Sequence, residues 1–259
     1  MIRLTYVLRR KADLPFADFQ SYWLQEHGPK VQAAAADLGI RRYVQVHTIS
    51  EPKEPTTDQL RGAMQKPFDG VAEFWFDSLE SLTALSDKRA ALDAELYLDE
   101  KLFIDHAESS GWLAVDHPQI NPSPETIIAT PESSVVKLYY VLNQLPNTKI
   151  DEIQWYWQVQ HGPLVRSVGA DIRALRYMQV HRLEHEFNQT FASGRGTKNE
   201  YFGHAELWFD LSSEDLSEQR KRQATSASVL LFEDEAKFID FSRSALWYGK
   251  EHVLVDATH

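Results

Sequence analysis

Cysteine is absent from the 259 residues. Disulfides, thiolate-bound metals and cysteine nucleophiles are thereby excluded, and a chain without thiols suits a reducing cytoplasm. Long apolar runs are missing too: no stretch approaches the ~18 residues that read as a membrane span, so no membrane partner is expected. The first residues, MIRLTYVLRRKADL, have no apolar h-region and do not read as a signal peptide. Positive charge is scarce, with 27 Lys and Arg against 38 Asp and Glu and a formal net charge of −11. That balance argues against nucleic acid and anionic lipid as partners. The glycine fingerprint of dinucleotide sites, the Walker loop and the HExxH zinc motif are all missing. His181-x3-His185 is a bare i, i+4 pair that follows a strand into a loop, so no metal site is expected.

What the chain does have is aromatic mass. Trp, Tyr and Phe number 7, 10 and 13, so large flat side chains must line a core or a pocket. It also has an internal repeat. YWLQEHGPKV (22–31) matches YWQVQHGPLV (156–165) at six of ten positions, an offset of 134. RYVQVH (42–47) matches RYMQVH (176–181) at the same offset, AEFWFD (72–77) matches AELWFD (205–210) at 133, and FID recurs at 135. The order is kept and the spacing drifts by one residue, so two copies of one domain are expected, at 1–117 and 135–259. Between them, 118–134 carries four prolines and reads as an extended linker.

Each copy reads β-α-β-β-α-β. IRLTYVL and VVKLYYVL are β-rich first strands. Phe16, Phe19, Trp23 and His27 fall at helical spacing, and Gly28-Pro29 is expected to break or kink that helix. The predicted class is α+β: two ferredoxin-like units packed sheet to sheet as an α+β barrel within one chain. The connections at 50–68 and 184–201 are long enough to be lids or binding elements, the second the more mobile for its Gly194-Arg195-Gly196.

The W-x3-H-G-P, R-Y-x-Q-V-H and A-E-x-W-F-D motifs, in order and twice, resemble the EthD family of the dimeric α+β barrel superfamily. There a single domain usually dimerises; here two copies are fused. The resemblance implies a ligand cavity in each half, between sheet and helices. It also implies a function among cofactor-free monooxygenases, lactone isomerases, polyketide cyclases, decarboxylases and haem enzymes.

Candidate catalytic residues are His27 and His161, Tyr6 and Tyr140, and His47 and His181. Four residues after Trp23 and Trp157, His27 and His161 share the tryptophan's helix face, and an imidazole there can act as general acid or base. The structural alternative has their rings bonding backbone carbonyls freed by the Gly-Pro step. His47 and His181 end strands on whose other face lie valines; a surface or domain-seam place is the alternative. Tyr6 and Tyr140 are either carbonyl-polarising hydroxyls or core aromatics. Candidate substrate contacts are Trp23, Trp157, Tyr43, Tyr177, Gln45, Gln179, Glu73, Glu206, Trp75 and Trp208. Arg42 and Arg176 are the expected counter-ions of Glu73 and Glu206. The copies differ at Thr5/Tyr139, Asp69/Phe202 and His106/Phe241, so unequal pockets are expected, the more polar first half the better one.

The sequence therefore points to a cofactor-independent enzyme that moves protons on a small aromatic or polyketide-like compound. That would be an isomerase, cyclase, lyase or decarboxylase, with a cofactor-free oxygenase as a variant. A non-catalytic protein that binds an aromatic ligand is the alternative, and a haem enzyme the third. A monomer with an internal pseudo-dimer or a homodimer fits equally.

Overall fold

The computed structural model describes residues 1–49, 58–84, 86–122, 127–212 and 217–258. The first half runs β1 (Ile2–Leu8), α1 (Phe16–Tyr22), a π-turn (Trp23–His27), α2 (Gly28–Leu38), β2 (Arg42–Thr48) and a short α3 (Asp58–Arg61). It continues through β3 (Gly70–Phe76), α4 (Leu79–Thr83), α5 (Asp87–Glu100) and β4 (Ser110–Ile120). The second repeats the order with β5 (Val135–Leu142), α6 (Ile150–Tyr156), a π-turn (Trp157–His161), α7 (Gly162–Val168) and β6 (Arg176–Arg182). It ends with α8 (Glu186–Arg195), β7 (Gly203–Asp210), α9 (Glu218–Glu235) and β8 (Ala245–Asp256).

All eight strands pair antiparallel in one closed barrel, in the order β1-β3-β2-β8-β5-β7-β6-β4. The two halves thus join edge to edge as well as face to face. β2 pairs with β8 and β4 with β6, so among the described residues no strand edge is left unpaired. The α+β barrel expected from the sequence is present, closed as one continuous sheet. Alternation sorts the side chains. Val44, Val46, Val71, Val141 and Val180 point into the barrel with Trp112 and Trp208. Leu4, Tyr6, Leu8 and Tyr43 point out, under the helices.

Two expectations about connections change. β4 runs through Pro118, with a register shift there, to Ile120, so the linker begins inside a strand. Ala129 beyond it is fully buried, its N–H donating to Glu251; residues 123–126 lie outside the described part. The second long connection is not a mobile loop but α8, capped by His185 and closed by Gly196 in the left-handed region. His185 Nδ1 accepts the Phe187 N–H as part of that cap. Of the first long connection, 50–57 lie outside the described residues.

Candidate functional site

The helix that carries W-x3-H-G-P does not break at Gly28-Pro29; it widens one step earlier into a π-turn. The Gly28 N–H reaches back to the Trp23 carbonyl, and Gln45 Nε2 donates to the same oxygen at 2.9 Å. Gln179 does the same for Trp157 at 2.7 Å. Gln45 Oε1 is bonded by His47 at 2.9 Å, and the His47 ring stacks on Trp23 with centroids 4.5 Å apart. His181 stacks on Trp157 at the same distance. The two motifs therefore exist to hold each other. Burial, with the neighbouring His252 or with His117 and His204, pushes His47 and His181 down to about 3, so both rings are neutral near pH 7. Gln45, Gln179, His47 and His181 are fully buried in this brace, not among the cavity residues named below.

His27 and His161 bond no backbone carbonyl through Nδ1. His161 Nδ1 lies 2.9 Å from Asp234 Oδ2, and His27 Nδ1 lies 2.7 Å from Asp99 Oδ2. The second carboxylate oxygen is held by a tyrosine: Tyr156 donates to Asp234 at 2.6 Å and Tyr22 to Asp99 at 2.7 Å. Lys237 and Lys30 add an ion pair each. Hydrogen bonds from His161, then from Lys237 and Tyr156, hold Asp234 well below the usual carboxylate range despite burial. Burial lowers His27, against the pull of Asp99.

The halves differ in what lies beside these dyads. In half two a cavity of about 360 Å³ sits between the outer sheet face and the helices, with His161, Trp157, Tyr140 and Tyr177 in its wall. Leu138, Leu142, Leu207, Leu231 and Ile239 make most of the remainder apolar. Arg61, from the connection in half one, crosses into this wall, forks onto Glu235 with two 2.8 Å bonds and lies over the Tyr140 ring. Tyr177 accepts from Trp157 Nε1 and Gln179 Nε2, both at 3.1 Å, which leaves its own proton to give; burial raises its pKa and keeps that proton on.

In half one the matching space is packed. Phe74 stacks on Tyr43 where half two has Leu207, and Phe191 from α8 lies edge-on to Tyr6. The Tyr6 hydroxyl is bonded to His106 Nδ1 at 2.7 Å. The expectation that half one holds the better pocket is thus overturned. Polarity at 5, 69 and 106 does not open it. Asp69 is spent on Arg10, His106 on Tyr6, and Thr5 faces the barrel interior across from Trp112 and Glu73.

Glu73, Glu206, Trp75 and Trp208 are inside the barrel, on the other side of the sheet from the cavity. Arg42 and Arg176 are not the counter-ions. Arg42 pairs with Asp256 at 2.6 Å, and Arg176 lies over the Trp208 ring. Arg3 instead bridges both glutamates, and Lys137 contacts Glu73 at 2.8 Å, Glu206 at 3.1 Å and Glu251 at 3.3 Å. Burial pushes Glu73 up to about 7 against these cations, while Arg3, Lys137 and His204 overcome burial and hold Glu206 well below its usual value. Glu73, His204 and Glu206 bring three potential metal ligands within 4.8 Å, but the arginine and lysine already sit among them.

Sequence reading missed Asp99/Asp234, Glu100/Glu235, Arg61/Arg195 and Arg3/Lys137. The signal was there for the first two: Asp-Glu precedes Phe-Ile-Asp closely in both copies. The arginines share the 134 offset but lie in connections where nothing else aligns.

An EthD domain profile matches residues 11–107 and again 145–242. No curated protein matches the chain. Among solved structures the chain is similar to an anthrone oxidase-like protein, at 10% identity and a TM-score of 0.59, over 99% of this chain and 94% of that one. It is also similar to a dye-decolorizing peroxidase from Bacteroides thetaiotaomicron, at 7% identity and a TM-score of 0.48, over 96% and 92%.

Proposed function

This chain belongs to the EthD family, carrying the domain twice, and from that premise we propose that half two is a proton-transfer site for a small aromatic or polyketide-like compound. We read each half as a ferredoxin-like unit, supported by the strand order β4-β1-β3-β2 and its copy β8-β5-β7-β6. The observation that carries the functional reading is the His161–Asp234 dyad in the wall of an apolar cavity. A base whose other nitrogen is oriented by a buried carboxylate is the geometry acid–base catalysis needs.

His161 Nε2 takes a proton from a carbon next to a carbonyl, or from a phenol. The Nδ1–H donates to Asp234, which stays ionised and stabilises the imidazolium. The electron pair moves onto the substrate oxygen, where the Tyr177 hydroxyl donates; return of the proton to another atom completes an isomerisation or cyclisation. Every group in this cycle belongs to the chain, so the chemistry needs no prosthetic group. The apolar strip suits a flat, weakly polar compound, and the description of the first structural neighbour as anthrone oxidase-like agrees with such an occupant. An electron-rich phenol deprotonated here and then oxidised by oxygen is the oxygenase variant.

The test is turnover on a panel of aromatic ketones and phenols. His161→Gln and Asp234→Asn should each lower it by about 10²–10⁴-fold, while His27→Gln, outside the wall of the half-two cavity, should leave it nearly unchanged. Loss of folding stability, read by urea titration, should be similar for the two histidines, because both brace α5 or α9 against a π-turn. A Soret band in the pure protein, or full turnover in His161→Gln, would sink this reading. One observation favours a second reading: half one keeps the same dyad although the hollow beside it, along Lys30, Leu96 and Asp99, is not lined by His27, as a structural brace would. A binding protein is then the outcome if ligands bind but the panel yields no product.

A further inference from the structure

Half one contains the walls of the same pocket. Tyr6, Gly111 and Arg195 correspond by strand register and repeat offset to Tyr140, Leu246 and Arg61, all three in the wall of the half-two cavity. Between Tyr6, Gly111 and Arg195 lies one phenyl ring, that of Phe191: its centroid is 5.2 Å from Tyr6, edge-on, and the Arg195 guanidinium sits 4.8 Å from it. A Cβ on Gly111 would overlap this ring, so the glycine makes its room. The ring arrives on α8, which belongs by sequence to half two. α8 is latched onto β4: Asn188 Oδ1 accepts the Leu113 N–H and Asn188 Nδ2 donates to the Leu183 carbonyl, both at 2.8 Å. Arg195 fixes its far end to Glu100 and Asp93, at 3.1 and 2.8 Å.

We infer that half one is a second aromatic-binding site, occupied within the chain by Phe191, so that the protein takes one ligand per chain, in half two. The inference rests on reading the half-two cavity as a ligand site. The occupant identifies the class the vacated site would accept: a single six-membered aromatic ring with at most a small substituent, seated edge-on to Tyr6 and against Gly111. The Tyr6 hydroxyl and the Arg195 guanidinium beside it are already served. His106 holds the Tyr6 hydroxyl, and Glu100 holds Arg195. A ring without charge is therefore favoured. Apolar cavities left by large-to-small substitutions stay dry and bind benzene-sized molecules.

The probe is p-cresol, followed by amide chemical shifts in the intact chain. In the unaltered protein, p-cresol should shift Leu138–Leu142 and leave Tyr6 and Gly111 still. In Phe191→Ala both regions should shift, and saturating p-cresol should raise the melting temperature of the variant by roughly 2–4 °C more than that of the unaltered chain. Adding Gly111→Ala to Phe191→Ala should abolish the p-cresol shifts at Tyr6 again, because the new Cβ fills the place of the ring. Shifts at Tyr6 in the unaltered chain would show half one open and overturn the inference. So would a folded Phe191→Ala protein that binds p-cresol only at half two. Binding at Tyr6 in Phe191→Ala with none at Leu138–Leu142 in any form would leave the occupied site standing and remove the half-two reading on which one ligand per chain depends.

Discussion

At the scale of single residues, the strongest electrostatic commitment is inside the barrel. Arg3 and Lys137, repeat partners at offset 134, share Glu73, Glu206 and Glu251 with almost no solvent. Removing one member of a buried ionic set leaves the others uncompensated, at a cost of about 3–5 kcal/mol. Lys137→Met should lose about that much in urea unfolding. Arg42→Ala should lose less than about 1 kcal/mol, because its pair with Asp256 is partly hydrated. Equal losses would mean the sequence-based assignment of counter-ions was right after all. The glutamates were legible as buried carboxylates needing partners, since they share a strand face with tryptophan. Their partners were not, because Arg3 reaches Glu206 across 203 positions of sequence and only barrel closure brings them together.

At the scale of elements, most of the secondary structure was legible. The first strands, 2–8 and 135–142, match β1 and β5 residue for residue, because β-branched and aromatic runs have few competing conformations. The π-turn was not. Its cause is tertiary: a tryptophan ring must lie flat on the sheet while the next helix proceeds. Gly70 on β3 and Gly203 on β7 make this possible, and a Cβ on Gly70 would overlap the Trp23 ring. Overpacking of this kind costs about 1–3 kcal/mol. Gly70→Ala should therefore destabilise the protein by about that much, and Trp23→Leu, by removing the ring, should make the same change nearly neutral. A double-mutant cycle checks it; simple additivity would show that the glycine is not there for the ring.

At the scale of the whole molecule, the two seams that close the barrel each carry a histidine pair. His47 packs on His252 between β2 and β8, and His117 on His181 between β4 and β6. Burial lowers all four, His47 and His181 to about 3. A group with a depressed folded pKa is neutral when folded and charged when unfolded below its ordinary value near 6.5. Stability is thus fully present above that pH and falls as the pH drops toward 3. His47 and His181 each contribute up to about 1.4 kcal/mol per pH unit. Glu73, raised to about 7, pulls the other way over the upper part of this range, as one group against several. Urea midpoints should fall steadily from pH 6 to pH 4; a flat profile would refute the neutral-seam account. The sequence by itself determined that there are two copies of one α+β domain, because motifs repeated in order survive without any knowledge of contacts. It also marked the histidines, since a ring one helical turn beyond a tryptophan shares its face whatever the surroundings. Only the tertiary structure decided which copy has its motif histidine in a cavity wall. That depends on Phe191 and Arg61 crossing from one half to the other, and the sequence spacing of residues carries no information about which surface a distant connection will cover.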